Sequence, residues 1–124
     1  MFTSVILGSN DPARSKQFYD AVMAALGHPE GMMYGERVIY MTPTGMMAIG
    51  KPRNGEPMTM SNGLTVGLAA PSKESVAAAH AAALANGGTC EGEPGPREMA
   101  RGAEGAYFRD PDGNKFSVYF GLGG

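Results

Sequence analysis

The sequence predicts an α+β domain built on an internal repeat, and three observations lead to that prediction. The chain has 124 residues, about the length of one domain. It contains 19 glycines and 9 prolines, which indicates many short elements joined by tight turns rather than a helical bundle. A strand pattern followed by a helix pattern occurs once in each half of the chain. The hydrophobic fraction of 43% is sufficient for one core.

The first half begins with a predicted strand and a predicted helix. Residues 2–8 are rich in β-forming side chains. Asp11-Pro12 follows as a helix N-cap with proline at the first helical position, where no amide hydrogen is needed. Apolar side chains then recur every four residues, at Phe18, Val22 and Leu26, as on one face of a helix. Gly27 follows as a typical C-terminal cap. Three short strands are predicted next, over 32–36, 37–41 and 46–50.

A polar, turn-rich segment over 51–62 predicts a linker, after which the pattern begins again. Residues 64–69 predict a strand, and Ser72 is placed to cap an alanine-rich helix. The apolar stripe of this helix consists of Val76, Ala79, His80, Ala83 and Leu84. Gly87-Gly88 ends the helix.

The two halves correspond at a constant offset of about 61 residues. Ser4 falls on Thr65, and Gly27 falls on Gly88. We interpret this correspondence as an internal duplication of a strand–helix–strands unit. A chance match between two unrelated strand–helix units is the alternative.

The end of the chain predicts a hairpin. A short strand over 89–92 and a glycine- and proline-rich loop lead to residues 106–109. The turn Asp110–Asn114 follows, and a closing strand covers 115–120. Proline at the second turn position presets its own φ, and Gly113 accepts a positive φ, so this turn is strongly specified.

Charge and cysteine content exclude several classes of protein. The net charge of −2 argues against a nucleic-acid-binding protein, which would carry a basic patch. No apolar run approaches the length of a membrane span, and the first residues do not resemble a signal peptide. A single cysteine, Cys90, excludes an internal disulfide and fits a reducing compartment. We therefore expect a cytoplasmic protein without nucleic-acid or membrane partners.

Two segments carry a resemblance to a known family. Residues 4–20 resemble the opening strand and helix of the vicinal-oxygen-chelate superfamily, and residues 106–115 are similar to its C-terminal hairpin. This superfamily contains glyoxalase I, bleomycin-resistance proteins, fosfomycin-resistance enzymes and extradiol dioxygenases. The resemblance covers essentially the whole chain. It implies one domain over 1–124 made of two paired βαβββ modules, at about 2–50 and 63–120.

The resemblance also implies a pocket and, in many members, a metal. The concave faces of the two sheets together enclose the pocket, with the helices outside. Metal-dependent members place His or Glu on the first and last strands of each module. Here those positions fall on Ser4, Thr65 and Ser117, and the strand over 46–50 offers no ligand. Hydroxyls are poor ligands for Zn²⁺, Fe²⁺ or Ni²⁺, so we expect a pocket without metal or other cofactor.

The remaining histidines and the cysteine do not supply a predicted site. His28 lies on a connection after the first helix, and His80 lies on the predicted helix away from the pocket. We interpret both as surface or half-buried side chains. Cys90 is expected to be a small, partly buried residue, because a nucleophile would need a neighbouring base and Glu91 is weak support for one.

Strand alternation gives the expected pocket lining. The predicted lining residues are Ser4, Ile6, Met33, Tyr40, Met47, Thr65, Gly67, Ser117 and Tyr119, with the register of the first module uncertain by one residue. The loop over 92–105 is a candidate lid in which Arg97 or Arg101 meets an anionic ligand, and a solvated charged loop is the alternative.

Three functions are compatible with these patterns. The first is a metal-independent small-molecule-binding protein with an apolar pocket. The second is a glyoxalase-like lyase or dioxygenase-related enzyme with a non-standard site that uses Glu36, Glu91 or Tyr119 as acid or base. The third is a dimeric interaction protein. In each case we expect a homodimer, because short-stranded modules leave sheet edges that association can cover.

Overall fold

A computed structural model describes residues 1–122 of the chain. Each half runs through a strand, a helix and three further strands. The N-terminal module contains β1 (Ser4–Gly8), α1 (Pro12–Ala25), β2 (Met32–Tyr34), β3 (Arg37–Thr42) and β4 (Gly45–Gly50). The C-terminal module contains β5 (Val66–Ala69), α2 (Lys73–Ala85), β6 (Thr89–Pro96), β7 (Glu104–Arg109) and β8 (Lys115–Phe120), with a short 3-10 turn at Glu98–Ala100. The predicted α+β fold of two βαβββ modules is confirmed.

The two sheets have the same topology. The N-terminal sheet has the strand order β1-β4-β3-β2, and the C-terminal sheet has the order β5-β8-β7-β6. In each sheet the first strand of the module pairs in parallel with the last, and the other pairs are antiparallel. Equivalent strands therefore occupy equivalent places, as a duplicated unit requires. β1 and β5 are edge strands of their sheets.

Both helices begin and end where their capping residues require. The Asp11 carboxylate accepts a hydrogen bond from the Arg14 amide at 3.1 Å, and the Ser72 hydroxyl accepts one from the Ser75 amide at 3.1 Å. These side chains satisfy amides that have no partner within the helix. Gly27 follows α1 with φ +88, a conformation that favours glycine.

One core joins the two modules. Along α1 the fully buried Phe18 and Tyr19 reach across to the C-terminal sheet, where their rings lie 6.0 Å from Phe108 and 5.6 Å from Phe116. The Phe108 and Phe116 rings stack on each other. The helices pack against each other as well as against their own sheets, so the buried side of both sheets is the side that carries the helices.

The hairpin turn of the family motif ties the modules together. Buried Asp110 accepts hydrogen bonds from the amides of Asp112 and Asn114, both at 2.9 Å, and from the Tyr19 hydroxyl of α1. The Asn114 side chain donates to the carbonyl of Gly8 at 3.0 Å. The motif that carries the resemblance therefore acts as a structural clamp between the modules.

Candidate ligand-binding site

Each sheet has an open face, by which we mean the face opposite its helix. In the N-terminal sheet, Ser4 and Ile6 lie on this face, because the intervening Val5 and the following Leu7 pack toward the core. Both Ser4 and Ile6 are exposed, and the Ile6 side chain is 57% accessible. The chain by itself leaves the N-terminal open face uncovered.

The other three residues predicted from the first module lie on the opposite side of that sheet. Tyr40 pairs with Met47, and Met47 pairs with Val5, so all of them face the core. Met33 pairs with Val38, which is fully buried on the same side. The expected register for Met33, Tyr40 and Met47 is therefore wrong by one residue. The methionines that share the face of Ser4 and Ile6 are Met32, Met41 and Met46.

In the C-terminal sheet, Gly67, Ser117 and Tyr119 share the open face. Gly67 pairs with Ser117. Phe116 and Val118, which flank Ser117 in β8, point into the core. A Cβ atom at Gly67 would lie 3.2 Å from the Ser117 hydroxyl, so glycine avoids a tight contact between the two strands there. Thr65 precedes β5, is exposed, and borders a small polar depression.

Two tyrosines and two cations form the polar part of the C-terminal open face. The hydroxyls of Tyr107 and Tyr119 are 2.8 Å apart. The Arg97 guanidinium lies 5.7 Å from the centre of the Tyr107 ring, and the Lys115 ammonium lies 5.6 Å from it. Burial, followed by the hydrogen bond to Tyr107, raises the pKa of Tyr119 to about 12. Tyr119 is therefore protonated at neutral pH and is not poised to act as a base.

The structure separates the two arginines of the predicted lid. Arg97 is held over Tyr107, because its guanidinium donates to the carbonyls of Glu93 at 2.6 Å and Gly95 at 2.9 Å. Arg101 is exposed and adopts a left-handed conformation with φ 55. Of the two, Arg97 is the one placed on the open face.

A cleft lies between the modules. It has a volume of about 530 Å³ and lies between the edge strands β1 and β5, next to the end of α1. Four predicted site residues line this inter-module cleft, namely Ser4, Tyr40, Met47 and Gly67. The cleft reaches both the core side and the open side of β1, which explains why residues of opposite faces meet there. Its other apolar lining includes Val5, Met23, Leu26, Met46, Val66 and Leu68.

The polar side chains of the inter-module cleft are mostly hydroxyls. Ser4, Thr44 and His28 contribute polar atoms to its lining. The Tyr40 hydroxyl is already engaged, since it donates to the Asp20 carboxylate at 2.7 Å. Burial, followed by that hydrogen bond, raises the pKa of Tyr40 well above its ordinary value. No Asp, Glu, Lys or Arg is among the residues that line the cleft within the described chain.

Sequence reasoning missed the cleft and most of its lining. The cleft depends on how one module packs on the other, and no local pattern encodes that packing. It also missed Tyr107 and Lys115, although alternation from Ser117 through the hairpin turn would have placed Tyr107 beside Ser117.

Comparison with known proteins decides the family. Residues 2–118 match the model of the Glyoxalase/Bleomycin resistance protein/Dioxygenase superfamily. The chain belongs to this superfamily. No curated protein sequence matches the chain significantly.

Solved structures of the superfamily share the fold. A glyoxalase/bleomycin resistance protein from Albidiferax ferrireducens T118 is 48% identical, with a TM-score of 0.93 over 97% of this chain and 98% of that chain. A glyoxalase-related enzyme from Fulvimarina pelagi is 20% identical, with a TM-score of 0.77 over 97% and 87%. Lactoylglutathione lyase from Agrobacterium tumefaciens is 21% identical, with a TM-score of 0.67 over 98% and 93%. The last two similarities show the fold alone.

The side chains at the superfamily's metal positions do not fit a divalent ion. The positions that the resemblance assigns to metal ligands carry the hydroxyls of Ser4, Thr65 and Ser117, and the open face of β4 presents Met46 and Ala48. Zn²⁺ and Fe²⁺ are bound by imidazole, thiolate or carboxylate, none of which is available at these positions.

Neither helix within residues 1–122 is long and apolar enough to cross a membrane.

Proposed function

We propose that this protein binds a small, uncharged and largely apolar organic molecule in the inter-module cleft, without a metal at the superfamily's usual position. The observation that carries the proposal is the lining of the cleft, which combines apolar side chains with hydroxyls and one imidazole and includes no Asp, Glu, Lys or Arg within the described residues. A ligand with a net charge would lose hydration there without gaining a counter-charge. An apolar ligand gains by removing this surface from water.

The dimensions of the cleft support the same proposal. Its volume of about 530 Å³ lies within the roughly 300–1,000 Å³ that small-molecule sites occupy. Met46 and Met47 on β4 contribute flexible thioether side chains, which adapt to irregular ligand shapes. The hydroxyl of Ser4 and the ring of His28 are placed to orient a ligand that has a carbonyl or hydroxyl group.

A dye-binding experiment tests this proposal. Nile red is neutral and apolar, and we expect it to bind the wild-type protein more tightly than the anionic dye ANS. Leu68 lines the cleft and is only partly buried, so Leu68→Trp has room to fill the cleft and should remove Nile red binding. Leu84 lies exposed on α2, and Leu84→Trp is the matched control that should bind as the wild type does.

Two results would contradict cleft binding. One is equal Nile red binding by Leu68→Trp and Leu84→Trp. The other is loss of dye binding in Met41→Lys, since Met41 lies on the N-terminal open face and is not part of the cleft lining. The chain has no tryptophan of its own, so each tryptophan variant also reports its local environment by fluorescence.

The structure gives no support to the enzymatic alternative. Glu36 pairs with Lys51 at 3.1 Å on the surface, and Glu91 pairs with Arg109 at 3.5 Å. Tyr119 is protonated at neutral pH, because its pKa is raised to about 12. A protonated Tyr119 could take part only as an acid, and none of the three residues lines the inter-module cleft.

Self-association is the second function that a specific observation favours. The N-terminal open face exposes four large apolar side chains, of Ile6, Met32, Tyr34 and Met41. Exposed apolar patches of this kind mark interaction surfaces on monomeric folds. We propose that a second copy of the chain covers this face and forms a homodimer. We also propose that the protein is cytoplasmic, because its free Cys90 would stay reduced in that compartment.

A further inference from the structure

Three side chains with metal-binding atoms meet on the helix side of the C-terminal sheet, away from the inter-module cleft. His80 lies on α2, and Cys90 and Glu93 lie on β6. The His80 Nε2 and Cys90 Sγ atoms are 3.2 Å apart, and the Cys90 Sγ and Glu93 Oε1 atoms are 3.6 Å apart. All three ligand atoms lie within 4.8 Å of one another.

A bulge in β6 produces this arrangement. In a regular strand, residues three apart point to opposite faces, so Cys90 and Glu93 would be separated. The pairing of β6 with β7 shifts register between Cys90 and Gly92 and again between Gly92 and Gly95. The shifts bring Cys90 and Glu93 to one side, while Glu91 turns to the other side and pairs with Arg109. Bulges commonly redirect side chains in this way next to functional sites.

We propose that His80, Cys90 and Glu93 bind a divalent transition-metal ion of the Zn²⁺ type. A tetrahedral Zn²⁺ with bonds of about 2.0–2.3 Å holds its ligand atoms about 3.3–3.8 Å apart. Two of the separations already lie close to this range, and the His80 and Glu93 ligand atoms, which are within 4.8 Å of each other, need to approach by at most about 1.5 Å. Imidazole, thiolate and carboxylate are the ligands that such ions prefer, and water completes the fourth position.

The charges of the site are balanced by the ion. Cys90 enters the site as the thiolate, and its proton passes to solvent as the metal–sulfur bond forms. The thiolate and the Glu93 carboxylate then supply two negative charges to a doubly charged cation. Arg97 does not compete for the carboxylate, because its guanidinium donates to the backbone carbonyl of Glu93.

The three proposed ligands differ in burial, and this difference gives each a different part in binding the ion. His80 is 3% exposed within the packed helix, so its imidazole is held in place before the ion arrives. Cys90 and Glu93 are exposed and give the ion access from solvent. Binding would join α2 to β6 and thereby stabilise this edge of the C-terminal module. The site is distinct from the superfamily's metal positions, which are on the open faces.

Titration with Co²⁺ tests the proposal on the purified, reduced full-length protein. We expect one equivalent of Co²⁺ to produce the charge-transfer absorption of a cobalt–thiolate bond, and Zn²⁺ to abolish that absorption by displacement. Zn²⁺ should also raise the melting temperature of the wild-type protein, because the ion binds the folded chain. Cys90→Ser should lose both the absorption and the Zn²⁺-dependent shift.

Matched variants separate this site from adventitious binding. Glu93→Gln should weaken Co²⁺ binding, whereas Glu91→Gln, one of its neighbours on β6, should bind Co²⁺ as the wild type does. His80→Gln should lose tight binding, and His28→Gln should retain it. His80 is buried, so Glu93→Gln serves as the deciding variant if His80→Gln does not fold.

Two outcomes would overturn the proposal. Wild-type protein that shows no cobalt–thiolate absorption has no such site. Equal Co²⁺ affinities in Glu93→Gln and Glu91→Gln would mean that the carboxylate is not a ligand. Nile red binding to the inter-module cleft is expected to be independent of Zn²⁺, so the outcomes for the two sites are separable.

Discussion

Gly105 on β7 lies against the ring of Tyr119 on the adjacent β8, and this contact leaves no room for a side chain. A Cβ atom at Gly105 would overlap the Tyr119 ring atoms. The absence of a side chain therefore allows the ring to lie flat on the open face, where its hydroxyl reaches Tyr107. Glycine is required here for close approach rather than for backbone conformation.

We predict that Gly105→Ala destabilises the fold by about 1–3 kcal/mol, because the Tyr119 ring must move from its place. Gly95 pairs with Gly105 across the β6–β7 ladder and is the matched control. A Cβ atom at Gly95 would meet its nearest atom, Nη1 of Arg97, at 3.5 Å, which is ordinary contact. Urea denaturation measures both variants, and equal losses would show that the Tyr119 contact does not determine the cost.

The hydrogen bond between Tyr107 and Tyr119 makes a prediction about pH. Burial and this bond raise the pKa of Tyr119 to about 12, above the ordinary value near 10. The resulting contribution to stability is present below pH 10 and is lost as pH rises through about 12. Tyr107→Phe should lower the pKa of Tyr119, because it removes the hydrogen bond while much of the burial remains. NMR titration of ring-labelled tyrosines, assigned with Tyr119→Phe, measures the shift. A wild-type Tyr119 that titrates near 10 would contradict this prediction.

Among the elements, some strands reveal their faces in the sequence and others do not. In β8, the apolar Phe116 and Val118 alternate with Ser117 and Tyr119, so the core side could be predicted. In β4, the run Met46-Met47-Ala48-Ile49 is apolar on both faces, because the open face is also apolar there. A strand without alternation does not show its register, which explains the wrong face predicted for Met47.

The helices were predictable because their ends are marked by capping chemistry, whereas the bulge of β6 was not. Asp11 and Ser72 each cap a helix in the structure as the sequence indicates. Gly92, Pro94 and Gly95 indicate an irregular strand, but the positions of the register shifts in β6 are fixed only by its pairing with β7. The contact of His80 with Cys90 was missed for the same reason, since ten residues and an irregular strand separate them in the chain.

The clamp between the hairpin turn and α1 gives a prediction at the scale of elements. Tyr19 is fully buried and donates its hydroxyl to Asp110, which is 3% exposed. Hydrogen bonds to charged groups contribute about 1.5–3 kcal/mol, so Tyr19→Phe should lower the free energy of unfolding by about 2 kcal/mol.

Tyr34→Phe is the matched control for this variant, because Tyr34 is 78% exposed. Its effect should remain within about 0.5 kcal/mol of the wild type. Chemical denaturation of both variants measures the difference. If Tyr19→Phe were as stable as Tyr34→Phe, the clamp would contribute nothing to the joining of the modules.

At the scale of the whole molecule, the superfamily and the duplicated fold could be predicted, but the candidate site could be predicted only in part. Family motifs and the repeat offset depend on local residues. The inter-module cleft depends on the packing of α1 against the C-terminal sheet, which brings the edges of β1 and β5 to one cavity. The packing of the modules, which no strand pattern predicts, brings four of the predicted site residues to this cleft, namely Ser4, Tyr40, Met47 and Gly67.

The N-terminal open face sets the last prediction, which concerns the assembly. Ile6, Met32 and Met41 are 57%, 73% and 65% exposed, and β2 at the sheet edge is only three residues long. Association of two copies would remove this apolar surface from water and cover the edge. We expect light scattering to give twice the chain mass for the wild-type protein at micromolar concentration.

The variant Met41→Lys places a charge on that surface and should yield a folded monomer, since an unpaired charge is costly to bury. Met99→Lys is the control, because Met99 is fully exposed on the 3-10 turn of the other module and its substitution should leave the dimer intact. A wild-type monomer would overturn the prediction of self-association. A Met41→Lys dimer would show instead that the two copies meet through another surface.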